Sequence, residues 1–436
     1  MEPLFLAVIF GCSAGLFRAA LNDVYIPRIQ RGNTYFAAKF LGARGALLSA
    51  LVHFFEDGRW GSFAEAKVEG QSLTAEDKLF VLMQAAPYLT AMRGMAAPEA
   101  RICYESAESL CHSLGRPFLL YAALIGQWRY IQMTDKLSAA RKIAERVHSL
   151  AQEQNDPSLM IGACNSLACT FHFLGDFEAS RQYALCGVEI WRSGNVRPHA
   201  EDYYTPAVGC LCFGAMSEWN LGNIASCQAN LEEARSLAKE LNDTIAIAMA
   251  LTWTASFAQH EGNPAEVDRL MSDLIELSTR HNFVYWLAVG SILRGWAWSA
   301  SGDTAKGIPW IEQGIRDFRT TGLVLAMPYY LLLKAEALHL ADRTSEALGA
   351  VSEAQALAEK FEQRSCCADL LRFRGVFLAT LGADEAQIEA SFHEAIRTAR
   401  EQKSIAMATR AESTHAEYRR QKAGASQGRG FRLPLW

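Results

Sequence analysis

A turn signal returns through this chain at a nearly fixed interval, and that interval restricts its possible folds more than any other feature. Apolar runs of helical period end at Gly94, Thr134-Asp135, Gly175-Asp176, Gly222-Asn223, Gly262-Asn263, Gly302-Asp303, Asp342 and Gly382. From Gly175 onward the spacings are 47, 40, 40, 40 and 40 residues, and the earlier ones are about 40 as well. Unrelated helices do not keep such a period, whereas stacked helical repeats must. Glycine ends a helix in the left-handed conformation without a Cβ penalty. The Asp or Asn after it accepts a hydrogen bond from the free amides that open the next helix. Asn263-Pro264-Ala265-Glu266 combines a cap, a proline at the first helical position and a glutamate at the third. Sustained alternation of apolar and polar residues, the mark of strands, is missing between the turns.

Small residues keep the same period. Ala168, Ala215, Ala255, Gly295, Ala335 and Gly375 stand seven positions before their turns. Gly187, Ala234, Gly314 and Ala354 stand twelve after, with Ala395 one place late and Leu274 the exception. Two helices approach closely only where their side chains are small. The chain therefore reads as hairpins 76–93 with 97–115, 117–132 with 135–153, 156–174 with 176–193, 206–221 with 223–240, 243–261 with 263–281, 283–301 with 303–321, 326–341 with 343–361 and 365–381 with 384–402. A last helix covers about 404–420. One hairpin cannot bury its apolar face alone, so the pairs stack into a superhelix.

Bulk properties agree. The chain has 436 residues, half of them hydrophobic, and a formal charge of −5. That composition fits a folded protein and excludes wholesale disorder. Without a basic excess, neither nucleic acid nor an anionic surface is an expected partner. The eleven cysteines contain no Cys-x-x-Cys. Those in apolar helical runs (Cys164, Cys169, Cys186, Cys210, Cys212) read as small buried residues of a reducing cytoplasm. The adjacent pair Cys366-Cys367 is a minimal soft-metal motif. The apolar run from Pro3 to Phe17 is too short to span a bilayer and lacks the basic start of a secretory signal, so it reads as a buried helix or strand.

The Gly-Asp turns and paired small residues resemble the tetratricopeptide repeat, lengthened to about 40 residues. Gly94-Met-Ala-Ala-Pro-Glu99, Ala151 to Pro157, Phe173-Leu-Gly-Asp-Phe-Glu178, Ile292-Leu-Arg-Gly-Trp296 and Phe373-Arg-Gly-Val-Phe-Leu378 look like the C-terminal repeat region of bacterial class III adenylate/guanylate cyclase-linked ATPases of the STAND type. This resemblance, over about residues 75–415, implies an all-α, tetratricopeptide-like α-α superhelix (solenoid) of about eight hairpins, used to dock or sense a partner. The phosphate loop Gly-x-x-x-x-Gly-Lys-Ser/Thr is missing, so no nucleotide is expected to be held in that way. Residues 1–70 form an N-terminal segment outside the repeats, and 421–436 a flexible basic tail. Within the first 60 residues, Gly11-Cys-Ser-Ala-Gly-Leu16, Tyr25-Ile-Pro-Arg28 and Leu41-Gly-Ala-Arg-Gly-Ala-Leu47 resemble the closing segment of actin-like sugar kinases. Gly11-Cys-Ser-Ala-Gly15 also fits the Gly-x-Ser-x-Gly nucleophile elbow, but no parallel sheet follows to supply Ser13 with a base and an acid.

The first helix of each pair should line the inner wall. Counting from the small residues, the inward positions are His172, Trp219, Gln259, Ser299 and His339, with Cys169, Met216, Ser256, Trp296 and Glu336. Trp219 and Trp296 are either anchors for a peptide in the groove or fillers of the core between repeats. Arg294, Lys334 and Arg374, one period apart, either form a cationic ladder for an acidic partner or pair with Glu336, Asp369 or Glu385. The longer loop from Ser193 to Tyr204, with Pro198, His199 and Asp202, stands at one edge and is a further candidate. The tail carries Arg419, Arg420, Lys422, Arg429 and Arg432. The sequence thus points to a cytoplasmic, non-catalytic scaffold without cofactor or metal, expected to hold a protein or peptide in its groove, with a cyclase or ATPase module as the candidate partner. Its alternatives are a small-molecule sensor and a detached part of a cyclase-linked ATPase or a sugar-kinase-like remnant.

Overall fold

The computed structural model of the protein describes residues 1–32, 36–39, 41–194, 196 and 204–424. Among them the chain is all-helical, and the one β-bridge joins Phe55 and Phe63. Its contacts group into two units, Met1–Met133 and Thr134–Trp436. The first long helix of the chain begins at Ala75, inside the first unit.

In the N-terminal unit, α1 (Glu2–Ser13) leads through α2 (Phe17–Ala19) into a π-helical stretch, Ala20–Gln30. Two short helices follow, α3 (Phe36–Lys39) and α4 (Arg44–Leu51), and then the long pair α5 (Ala75–Arg93) and α6 (Pro98–Leu114). The unit closes with α7 (Pro117–Thr134). Thr74 and Asp77 form a reciprocal capping box at the start of α5. A terminal hairpin of a repeat stack exposes an apolar face that has to be covered. Here Val8, Leu21, Tyr25, Leu47 and Leu51 share one core with Leu79, Leu82 and Leu89 of α5. At its centre Gln30 donates to Tyr25 Oη, Gln84 Oε1 and Tyr88 Oη at 3.1–3.2 Å. The elbow-like Ser13 ends a helix and donates to the Ile9 carbonyl, 3.0 Å away on an exposed face.

The C-terminal unit is a run of antiparallel helices. It comprises α8 (Leu137–Gln154), α9 (Pro157–Leu174), α10 (Phe177–Arg192), α11 (Pro206–Asn220), α12 (Ile224–Glu240), α13 (Thr244–His260) and α14 (Pro264–His281). Then come α15 (Val284–Ala300), α16 (Thr304–Thr320), α17 (Met327–Leu340), α18 (Thr344–Phe361), α19 (Cys367–Thr380), α20 (Glu385–Glu401) and α21 (Ile405–Gly424). These boundaries match the repeat reading to within a few residues. The turn position is left-handed in each repeat from Gly175 (φ 79°) to Gly382 (69°), including the non-glycine Asp342 at 59°. Asp176, Asp243, Asn263 and Asp303 each accept a hydrogen bond from the amide three residues on. Asn223 does not cap; it donates to Glu218 Oε2 at 2.7 Å. Glu266 turns away from the cap to bind Arg269.

The small residues mark the closest approach. A Cβ on Gly295 would lie 2.7 Å from the Gly307 carbonyl oxygen, and one on Gly314 would lie 2.9 Å from that of Ala288. Helices α15 and α16 therefore meet backbone to backbone, which only glycine permits.

The superhelix of this unit also closes on itself. The Arg364 amide donates to the Phe173 carbonyl at 2.7 Å, and Ser138 N to Glu362 Oε2 at 2.8 Å. Ser404 Oγ bonds Asn220 Oδ1 at 2.8 Å, Lys403 pairs with Glu178, and Arg410 donates to the His260 carbonyl. Ala368, Ala399 and Met407 from the last helices join Ala215, Met216 and Trp219 in one apolar cluster. The helices that open the unit are thus roofed by those that end it.

All eleven cysteines are free. Of the five in apolar runs, Cys186 is exposed and the other four are buried. Pro198, His199 and Asp202 of the edge loop, and Arg429 and Arg432 of the tail, lie outside the described residues, whereas Arg419, Arg420 and Lys422 stand on α21.

Candidate functional site

Closure of the C-terminal unit leaves a small cavity, and of the residues read as inward-facing His172, Met216 and Ser256 line it. His172 on α9 sits among the rings of Phe173, Phe177, Phe213 and Trp253, at centroid distances of 5.3–5.9 Å. Its Nδ1 is buried without a hydrogen-bond partner. Burial brings its pKa down to about 4, so the imidazole is neutral at pH 7. Trp219 is 1% exposed. Its ring stacks on His260 at 4.2 Å, its Nε1 donates to Glu261 at 3.2 Å, and the Arg410 guanidinium lies 5.0 Å from the ring centre. Gln259 accepts from Tyr329 Oη at 3.1 Å. Trp296 is fully buried. His339, half-buried, places Nδ1 2.9 Å from Thr344 Oγ1. Of the remaining inward positions, Cys169, Met216, Ser256, Ser299 and Glu336 are all buried.

Of the three cations one period apart, two are paired with acids. Arg294 reaches back to Asp268 on α14 at 2.8 Å and lies over Trp298. Lys334 does the same with Glu312 on α16 at 3.0 Å. Each therefore ties its helix to the second helix of the preceding hairpin. Arg374 is exposed. Of the carboxylates considered for them, Asp369 takes Arg372 at 2.9 Å and Glu385 takes Lys422.

Repeat counting did not single out the charged heart of this unit. Asp369 and Arg372, one turn apart on α19, keep only 5% and 3% of their side chains exposed. Burial alone would raise the Asp369 carboxyl, but Arg372 and Arg410 hold it below its ordinary value. Burial, with Arg410 and Arg372 adding to it, pushes His260 down to about 3. The Asp-x-x-Arg pair inside a mostly apolar helix was the available signal, since charges one turn apart on a buried face must pair. Next to this cluster lies a cavity of about 100 Å³. His172, Asn220, Trp253, His260, Trp286 and Tyr329 line it. An open cleft of about 590 Å³ lies between the turn at Gly175, the start of α19 and the C-terminal half of α20. Asp176, Glu178, Glu394 and Glu401 outnumber Arg364 and Lys403 on its walls.

The two neutral histidines make the fold acid-sensitive. Their folded pKa values lie below the unfolded value of about 6.5, so the unfolded chain takes up protons first. Their stabilisation is complete above pH 6.5 and is lost as the pH falls towards 4. Between pH 7 and 5 the loss should reach about 4 kcal/mol, at up to about 1.4 kcal/mol per pH unit for each group. Urea midpoints across this range should fall steeply, and less so for His172→Phe. Equal midpoints at pH 7 and 5 would exclude neutral burial of this pair.

Comparison with known proteins agrees with the architecture. The profile of the family "Anaphase-promoting complex subunit 5" matches residues 198–261 and 320–422. An uncharacterised protein of Rhizobium meliloti (strain 1021) is 22% identical over 357 residues, which is 80% of this chain and 34% of that protein. The chain thus spans about a third of the length of that relative. Among solved structures, a Rap protein complexed with Competence and Sporulation Factor superposes with a TM-score of 0.58 at 13% identity, covering 83% of this chain and 98% of the other. A Signal Transduction ATPase with Numerous Domains that has a tetratricopeptide repeat sensor, from Pyrococcus horikoshii, gives 0.45 at 13% identity, over 87% of this chain and 55% of the other.

Proposed function

We propose that this chain is a non-catalytic protein-interaction module of a bacterial signalling system, working in the cytoplasm and holding a protein or peptide segment of its partner. The observation that carries this reading is the closed run of helical hairpins with an open cleft of about 590 Å³ at its seam. Helical repeats present such walls to extended or helical segments. Support comes from the Rap protein, whose fold is similar and which was captured with a bound factor. The acid excess in the cleft favours a basic segment. The partner we infer is a cyclase or ATPase module, since the repeat phrases resemble that class of protein.

The test immobilises the full chain in lysate from its source and identifies retained proteins by mass spectrometry. It is repeated with Glu394→Lys/Glu401→Lys, which reverses the charge of one cleft wall. A cyclase or ATPase held by the first and lost by the second is the expected result. Equal retention by both chains, or retention of neither class, counts against the reading.

One observation favours a second reading, a small-molecule sensor. The buried, unpartnered Nδ1 of His172 faces a cavity of about 100 Å³. Apolar cavities of about 150 Å³ hold a benzene ring. A neutral ligand smaller than that ring, with one hydrogen-bonding group, would fit, and Trp253 and Trp286 on the wall would report it by fluorescence.

A further inference from the structure

We propose that Glu389, His393 and His415 form a divalent-metal site suited to Zn²⁺, which fastens the last helix to its neighbour. Glu389 and His393 stand four residues apart on α20 and so share one face of it. His415 comes from α21, which packs against that face. Glu389 Oε2 lies 2.7 Å from His415 Nε2 and 3.8 Å from His393 Nε2, and the three donor atoms all lie within 4.8 Å of one another. Tetrahedral Zn²⁺ with bonds of about 2.0–2.2 Å needs its donors about 3.4 Å apart. Small side-chain rotations reach that geometry.

The surroundings prepare two of the donors. The His415 ring is stacked on Phe392 at 5.3 Å and is 9% exposed in its side chain, so its direction is set before any metal arrives. The His393 ring stands at 89° to it, with the centroids 5.1 Å apart. That side chain is 62% exposed, free to turn, and leaves the fourth coordination position open to water. Two imidazoles and one carboxylate without a thiolate are a donor set for zinc. The competitor is Arg419, 3.0 Å from Glu389, but its side chain is 58% exposed and can turn into water. An exposed ion pair of this kind is weak beside a metal bond. Metal binding here would hold α21 in place, and α21 also carries Met407 and Arg410 into the closure of the superhelix. The inference stands independently of the partner assignment above.

The experiment uses the full chain with any purification tag removed, stripped with a chelator and titrated with ZnCl₂ against a chromophoric competitor. One equivalent should bind at micromolar free zinc or below, and the melting temperature should rise with it. Cobalt in its place should give the strong visible bands of four-coordination. His393→Ala removes an exposed donor and should leave the metal-free melting temperature unchanged. It should weaken zinc binding by about 100-fold or more, since loss of a ligand costs no less than loss of its supporting contacts. Zinc affinity in His393→Ala equal to the original, or no uptake by the original chain, would overturn the assignment.

Discussion

Arg372→Met should lower the stability of the C-terminal unit by about 3 kcal/mol. The substitution keeps the volume of the side chain but strands the Asp369 carboxylate, whose side chain is 5% exposed and 2.9 Å from the guanidinium it loses. Arg410 remains as a second cation, which keeps the expected figure at the lower end of the range for a broken buried pair. Replacing both partners, as in Arg372→Met/Asp369→Leu, removes the uncompensated charge and should restore most of the loss. Guanidinium unfolding followed by tryptophan fluorescence is a suitable measurement, because most of the ten tryptophans lie between Trp191 and Trp310. A single variant within about 1 kcal/mol of the original would mean that the pair is solvated.

Trp219→Ala should cost about 3–5 kcal/mol, as removal of a fully packed tryptophan does elsewhere. This result decides between the two roles open to the residue. A groove anchor could be removed without harm to the fold, and only binding would suffer. In the structure the ring is 1% exposed, lies flat on His260 and sits in one cluster with Met407 of the last helix. Its loss should therefore loosen the contact between α11 and α21 as well as leave a void. Hydrogen exchange should show α21 opening first. An unfolding midpoint unchanged by the substitution would return Trp219 to the role of anchor.

The hairpins were legible because both of their requirements are local. A left-handed turn and a small contact residue each leave a mark at a fixed offset, so Gly302 and Gly295 together announce one pair. The candidate site was legible only in part. Counting assigned His172, Trp219 and Gln259 to an inner wall, but it could not tell that the last helices would cover Trp219. That depends on the turn per repeat summed over the unit, a quantity no single residue encodes. The same limit applies to Arg294 and Lys334. Their spacing of one period is real, yet each is satisfied by an acid on the preceding hairpin. The Asp369–Arg372 pair was visible as a local i,i+3 spacing, but not its place at the centre. The residues before Ala75 lack the turn period, and those in the shared core pack against α5.

Most solenoids behave as one-dimensional chains in which each module feels only its immediate neighbours and the ends fray first. The bonds from Arg364 to Phe173 and from Ser404 to Asn220 give this unit no free end of that sort. A hoop of this kind should melt as a single body, not peel from one side. Its repeat number is also held constant, because inserting or deleting one hairpin would carry Ser404 and Arg410 past the groups they meet. Open arrays can gain or lose modules over evolutionary time, and this geometry removes that freedom.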